Sequence, residues 1–145
     1  MNDGLKRLVE CSRKYGADPK YVITGGGNTS FKTDDVFYVI ASGLALATIE
    51  ADGFVALDRH VLATMSDKAY PGQPEEREAM VKRDLLRSRL EPERNQRPSV
   101  EASVHNAIPH PFVVHLHPTG VNAVLCARDA RSDIDRLFGD RVVYL

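Results

Sequence analysis

Apolar residues recur along this chain in two rhythms, one helical and one extended, and their alternation lays out the elements. Leu5, Leu8, Val9 and Ser12 fall at helical spacing and predict a first helix. Tyr15-Gly16-Ala17-Asp18-Pro19 supplies its stop, with Gly16 as the C-cap. Tyr21-Val22-Ile23 reads as a short strand that breaks at Gly25-Gly26-Gly27-Asn28, after which Phe31 and Lys32 resume extended chain and Asp34-Asp35 turn it. Residues 36–40 form the most strongly β-prone run and end in the small-residue loop Ala41-Ser42-Gly43. Residues 54–57 predict a further strand, and Asp58 is placed to cap a helix carrying Val61, Leu62 and Met65.

Pro71-Gly72-Gln73-Pro74 is a turn, and Glu75 and Glu76 then occupy a first helical turn, where the helix dipole favours acids. The helix is expected to reach about Leu90, burying Met80, Val81, Leu85 and Leu86 and turning its many charges to solvent. Residues 91–98 are polar and turn-rich. Ser99 can cap a helix carrying Val100, Val104 and Ile108 that stops before Pro111. A strand over residues 112–118, helices near 121–127 and 132–138 and a final strand over 141–145 complete the reading. Strands alternating with helices predict a mixed α/β fold, although the pattern alone does not set the order of strands in a sheet.

Composition narrows the function classes. With 145 residues and 43% hydrophobic content, the chain suits one domain with a single core. A net charge of -1, with basic and acidic residues interleaved, leaves no surplus to neutralise nucleic acid. No run approaches the roughly 18 apolar residues of a membrane span, and the polar start lacks a signal peptide's apolar centre, so a cytoplasmic location is expected. Cys11 and Cys126 are too far apart in sequence for a Cys-rich metal motif and read as reduced, small apolar residues.

Three segments carry candidate chemistry. In His115-Leu116-His117 the imidazoles are two residues apart on a predicted strand, so both face one side and can reach one ion; this is half of a zinc site. The glycines at 25–27 can expose successive amide N–H groups to an anion, with Asn28, Thr29 and Ser30 adding donors, although neither the Walker nor the dinucleotide pattern is present. Glu101, near the start of a helix, can move a proton on a carbon beside a ketone that a metal polarises. Each has an ordinary reading when taken singly: core or surface histidines, a flexible hairpin, a glutamate that compensates a helix dipole.

Taken in order, Gly27-Asn28-Thr29-Ser30, Ser42-Gly43, Pro98-Ser99-Val100-Glu101 and His115-Leu116-His117 resemble the class II sugar-phosphate aldolase and adducin-like superfamily over residues 5–145. Ala41-Ser42-Gly43, Ala47-Thr48-Ile49, residues 52–58 and Arg97-Pro98-Ser99-Val100-Glu101 are most similar to the aldolase portion of bifunctional rhamnulose-1-phosphate aldolase and alcohol dehydrogenase proteins. The resemblance implies a three-layer α/β/α domain around a largely antiparallel sheet, assembled as a tetramer with sites near subunit interfaces. It also implies Gly27, Asn28, Ser42, Gly43 and Ser99 as phosphate-binding residues, His115 and His117 as zinc ligands and Glu101 as the acid-base residue. The implied reaction is zinc-dependent retro-aldol cleavage of a ketose 1-phosphate to dihydroxyacetone phosphate and an aldehyde.

Two departures accompany the resemblance. Val100 stands where many relatives carry a second serine, and the third zinc histidine, which relatives supply from a later strand, has no counterpart before Leu145. His105, one helical turn after Glu101, can line the site and is the candidate for a substitute ligand; His60 and His110 read as ordinary residues. The chain is therefore expected to be a C-terminally shortened piece of a longer aldolase, with an open sheet edge that favours oligomerisation. Sugar-phosphate epimerisation or dehydration at the same site, and a non-catalytic adducin-like binding module, are the alternatives.

Overall fold

The first helical rhythm becomes α1 (Asp3–Gly16) in the computed structural model, which describes residues 2–23 and 26–143. The Asn2 side chain accepts from the Gly4 N–H and caps it, and Leu8, Val9 and Ser12 form its buried side. Gly16 is not the cap: it lies inside the helix, which closes at Ala17. Its bare Cα instead permits close packing, since a Cβ there would sit 2.4 Å from the Ala47 nitrogen. Residues 21–23 do not form the expected strand. The N–H groups of Tyr21 and Val22 both donate to the Asp18 carbonyl, so this β-prone triplet turns instead of pairing.

Four strands follow: β1 (Asn28–Lys32), β2 (Val36–Ile40), β3 (Phe54–Asp58) and β4 (Phe112–His115). They form a sheet in the order β3-β2-β1-β4 with every neighbouring pair antiparallel. Asp58 ends β3 and caps α2 (Arg59–Ser66), its carboxylate accepting from the N–H groups of His60 and Val61. α3 (Pro74–Arg87) ends three residues before the expected Leu90, because the Leu90 N–H donates to the Ala56 carbonyl and draws the chain alongside β3. α4 (Ala102–Ala107), α5 (Thr119–Leu125) and α6 (Ala130–Phe138) complete the helices. Residues 139–141 make a single tight turn where a last strand was expected to begin. Val142 and Val143 have no ladder partner among the described residues, and 144–145 lie outside them.

Alternation along β1 sorts the layers. All five of its residues are buried. Thr29 and Phe31 face α1: the hydroxyls of Ser12 and Thr29 lie 2.7 Å apart, and a Cβ on Gly4 would sit 2.2 Å from the Phe31 ring. Asn28, Ser30 and Lys32 point the other way, towards Glu101 and His105. The sheet is thus covered on both faces, the three-layer arrangement anticipated above. Register carries the second face across the sheet. Phe37 and Val39 of β2 and Leu57 and Val55 of β3 continue it as the apolar core, and Val113 and His115 extend it on β4. Among the described residues, no helix is long and apolar enough to cross a membrane.

Candidate acid-base and metal site

Asn28 and His115 are cross-strand partners, placed where β1 begins and β4 ends. Gly27 makes that approach possible. Its φ is +79°, and a Cβ would lie 2.5 Å from the His115 carbonyl oxygen, so a side chain here would collide with β4. Glu101 reaches the pair from the segment before α4. Its Oε2 accepts from Asn28 Nδ2 at 2.7 Å and contacts His115 Nδ1 at 2.5 Å. An ionised carboxylate can only accept, so Nδ1 of His115 carries the proton in this contact and Nε2 faces away from Glu101's hydrogen bond.

His105, one turn along, brings a second imidazole. Its Nε2 is 3.9 Å from the same carboxylate oxygen, and its Nδ1 is 2.8 Å from Ser30 Oγ. The ring is 2% exposed, and Lys32 Nζ donates to the His105 carbonyl beneath it. α4 starts later than the sequence suggests: Glu101 is its N-cap, and Ser99 lies in the preceding turn with Oγ accepting from the Glu101 N–H at 3.3 Å. Its buried residues are Ala102 and His105, whereas Val104 is exposed. The helix turns its small and polar side inward because it lies over the polar strip of β1.

Electrostatics favour the carboxylate form of Glu101 and the neutral form of His105. Burial pushes Glu101 up, but hydrogen bonds from Asn28 and His115 and the positive potential of His115 and His105 outweigh it, leaving its pKa below the ordinary value. His105 is lowered, first by burial, which overcomes the pull of Glu101 and is reinforced by His115 and Lys32. Lys32 is lowered by burial and by the Arg59 charge. Among the described residues, one buried side-chain polar atom stays without a hydrogen-bond partner: Asn28 Oδ1, on the side chain that also holds Glu101.

Of the expected metal pair, His115 joins Glu101 and His105 in a group whose ligand atoms all lie within 4.8 Å of one another. His117, past the end of β4, is exposed and outside that group; its ring centroid is 4.7 Å from that of His115. One carboxylate and two imidazoles are donors of the kind zinc takes, and the unpartnered Asn28 Oδ1 marks unused polar capacity beside them, so the residues fit a divalent metal.

The expected phosphate donors divide between two places. Ser42 and Ser99 flank a single antiparallel bridge between Ala41 and Pro98: the Ser42 N–H donates to the Arg97 carbonyl at 2.7 Å, and the Ser99 N–H to the Ile40 carbonyl at 3.1 Å. Gly43 follows Ser42 with a φ of +90°. Gly27 and Asn28 sit instead beside His115, with the Asn28 amide on Glu101. Gly25 of the glycine loop lies outside the described residues. Ser30 is expected from the sequence as a donor beside the glycine loop and Lys32 is not singled out; the structure makes both supports of His105. Their signal was there: Asn28, Ser30 and Lys32 alternate on one strand face, and Glu101 and His105 share one face of a helix.

Comparison with known proteins adds to this geometry. A family model described as Class II Aldolase and Adducin N-terminal domain matches residues 6–145. A Bacillus subtilis (strain 168) protein named Uncharacterized oxidoreductase YuxG is 30% identical over 151 aligned positions, which take in 98% of this chain and 21% of that protein. The chain therefore spans about one fifth of that relative's length. A solved structure, the N-terminal class II aldolase domain of a conserved protein from Thermoplasma acidophilum, superposes with a TM-score of 0.79 at 29% identity, covering 96% of this chain and 66% of that one.

Proposed function

The chain belongs to the class II aldolase and adducin N-terminal domain family, and on that premise we propose that its site carries out metal-dependent retro-aldol cleavage of a ketose 1-phosphate. The products are dihydroxyacetone phosphate and an aldehyde, and L-rhamnulose 1-phosphate is the substrate that the motif resemblance favours. The observation that carries the reading is the Glu101 carboxylate, held by Asn28 and His115 at 2.7 and 2.5 Å with His105 beside it.

Glu101 is the group that moves the proton at the carbon beside the ketone: in cleavage the proton released by the substrate's hydroxyl as the C–C bond breaks passes to the carboxylate and from it to that carbon, and in condensation the carboxylate takes it back. Its lowered pKa keeps it ionised between turnovers, and Asn28 and His115 fix the direction in which its carboxylate points. His115 and His117 are the proposed zinc ligands, with His105 as the third imidazole. A bound divalent metal supplies stabilisation of the negative charge that develops on the ketone oxygen. Gly27, Asn28, Ser42, Gly43 and Ser99 are the proposed phosphate donors. Assembly as a homo-oligomer, a tetramer by resemblance, and a cytoplasmic location belong to the same reading. The oxidoreductase name of the B. subtilis relative applies to a protein about five times longer, which accords with an aldolase domain joined to a dehydrogenase.

The test is product analysis with L-rhamnulose 1-phosphate and zinc, comparing the wild-type chain with Glu101→Gln. Dihydroxyacetone phosphate should be released by the wild type, with turnover about 10²- to 10⁴-fold slower in the variant. Equal turnover would remove Glu101 from the reaction. An epimerised or dehydrated product in place of cleavage would keep the site and change the chemistry.

A further inference from the structure

Arg97 has no role in the reaction as described so far, yet it is bonded to one of the residues proposed to hold phosphate. Its backbone carbonyl accepts from the Ser42 N–H at 2.7 Å, and its Nη2 donates to Ser42 Oγ at 2.7 Å. The guanidinium is thereby fixed at the Ala41–Pro98 bridge that Ser42 and Ser99 flank. It is exposed, and no acid among the described residues forms an ion pair with it. Arg97 also lines a cavity of about 140 Å³ together with Val81, Leu85, Pro98 and Val100, with Glu78 and Lys82 the other charged residues on its wall.

The donors already assigned are all neutral. Backbone N–H groups and serine hydroxyls can shape a site for phosphate, but a dianion leaving water needs positive charge as well. That need is sharper here, because Glu101, two residues after Ser99, adds negative charge nearby. Lys32 cannot meet it, being 5% exposed and bound to the His105 carbonyl. A guanidinium with one N–H on Ser42 keeps further donors in a planar fork suited to a phosphate oxygen pair.

We propose that Arg97 is the phosphate-recognising cation of this site, its guanidinium set in place by Ser42 and completing an oxyanion pocket with Gly43 and Ser99. The proposal rests on the reading of those residues as substrate-phosphate donors. It makes Arg97 a specificity residue, one that separates phosphorylated from unphosphorylated substrates.

The test is calorimetric titration of the zinc-supplemented chain with dihydroxyacetone phosphate, dihydroxyacetone and inorganic phosphate, for the wild type, Arg97→Met and Arg97→Lys. Thermal unfolding verifies that each variant is folded. Arg97→Met should weaken dihydroxyacetone phosphate about 10- to 100-fold and leave dihydroxyacetone unmoved, and Arg97→Lys should recover part of the loss. Equal dihydroxyacetone phosphate affinity in wild type and Arg97→Met overturns the role of Arg97 and leaves the aldolase reading standing. Arg97-dependent phosphate binding without aldol cleavage does the reverse. A wild-type chain that binds neither phosphate compound overturns the proposal.

Discussion

β1 and β2 are neighbours in the sheet, equal in length and paired antiparallel, yet they are built from opposite chemistry. β2 is Val-Phe-Tyr-Val-Ile, and Phe37 and Val39 are wholly withdrawn from water. β1 is Asn-Thr-Ser-Phe-Lys and is buried at every position. Its polar side chains survive there because each has a partner: Glu101 for Asn28, Ser12 for Thr29, His105 for Ser30, and the His105 carbonyl for Lys32. The difference teaches how the domain divides its tasks. β2 and β3 supply the apolar burial that stabilises the sheet, while β1 uses the same burial to fix charged and hydrogen-bonding groups in place and β4 brings the half-buried His115 up beside them. The unpartnered acceptor Asn28 Oδ1 falls on the second side.

The strongest way to break this comparison is Phe37→Ala. Emptying a fully buried aromatic position on β2 should cost about 3–5 kcal/mol, read as a fall in the midpoint of urea denaturation. A loss under about 1 kcal/mol would mean that the apolar strand does not carry the fold.

On the polar strand, Ser30→Ala should leave the Nδ1 of a 2% exposed His105 without its hydroxyl partner. The expected cost is about 1–3 kcal/mol. If His105 helps to hold zinc, the same change should weaken metal binding about 10- to 100-fold, because a residue that orients a ligand is felt at the metal. Wild-type stability together with wild-type zinc affinity would reduce β1 to an ordinary strand of polar composition.

The same contrast explains what could be read from the sequence. β2, α1 and the Asp58 cap announce themselves because pattern and local hydrogen bonding suffice to form them. Asn28, Glu101 and His115 were named as site residues from motif order, and the structure brings those three within hydrogen-bonding reach. The tie of Ser30 and Lys32 to His105 escaped because buried polar side chains take their meaning from partners more than 70 residues away, on a helix whose packing no local rule supplies. The expected strands at 21–23 and 141–145 erred in the opposite sense. Their β-prone residues satisfy local propensity, but a strand needs a neighbour: the first triplet turns onto Asp18, and residues 141–143 have no ladder partner among the described residues.

A buried acid outside the site provides the smallest and most discriminating case. Asp84 on α3 is 7% exposed and accepts from Lys68 Nζ and from Tyr70 Oη, with Arg83 near its other oxygen. The Lys68 hydrogen bond, against the cost of burial and with help from Tyr70 and Arg83, holds its pKa below the ordinary 3.8. Around that pH the unfolded chain binds more protons than the folded one. The stabilisation is therefore fully present above about pH 3.8 and is lost as pH falls through the lower folded value. Because the Lys68 side chain is about one third exposed, solvent screening limits the effect, and Asp84→Asn should cost about 1 kcal/mol at neutral pH. The gap between variant and wild type should close in acid, read by urea denaturation at stepped pH, while aldol turnover and zinc affinity stay at wild-type values. A gap that persists well below the folded pKa would assign the loss to packing instead of charge. A fall in turnover without loss of fold would show that polar burial serves the site from α3 as well, and the division of labour between β1 and the rest of the domain would no longer hold.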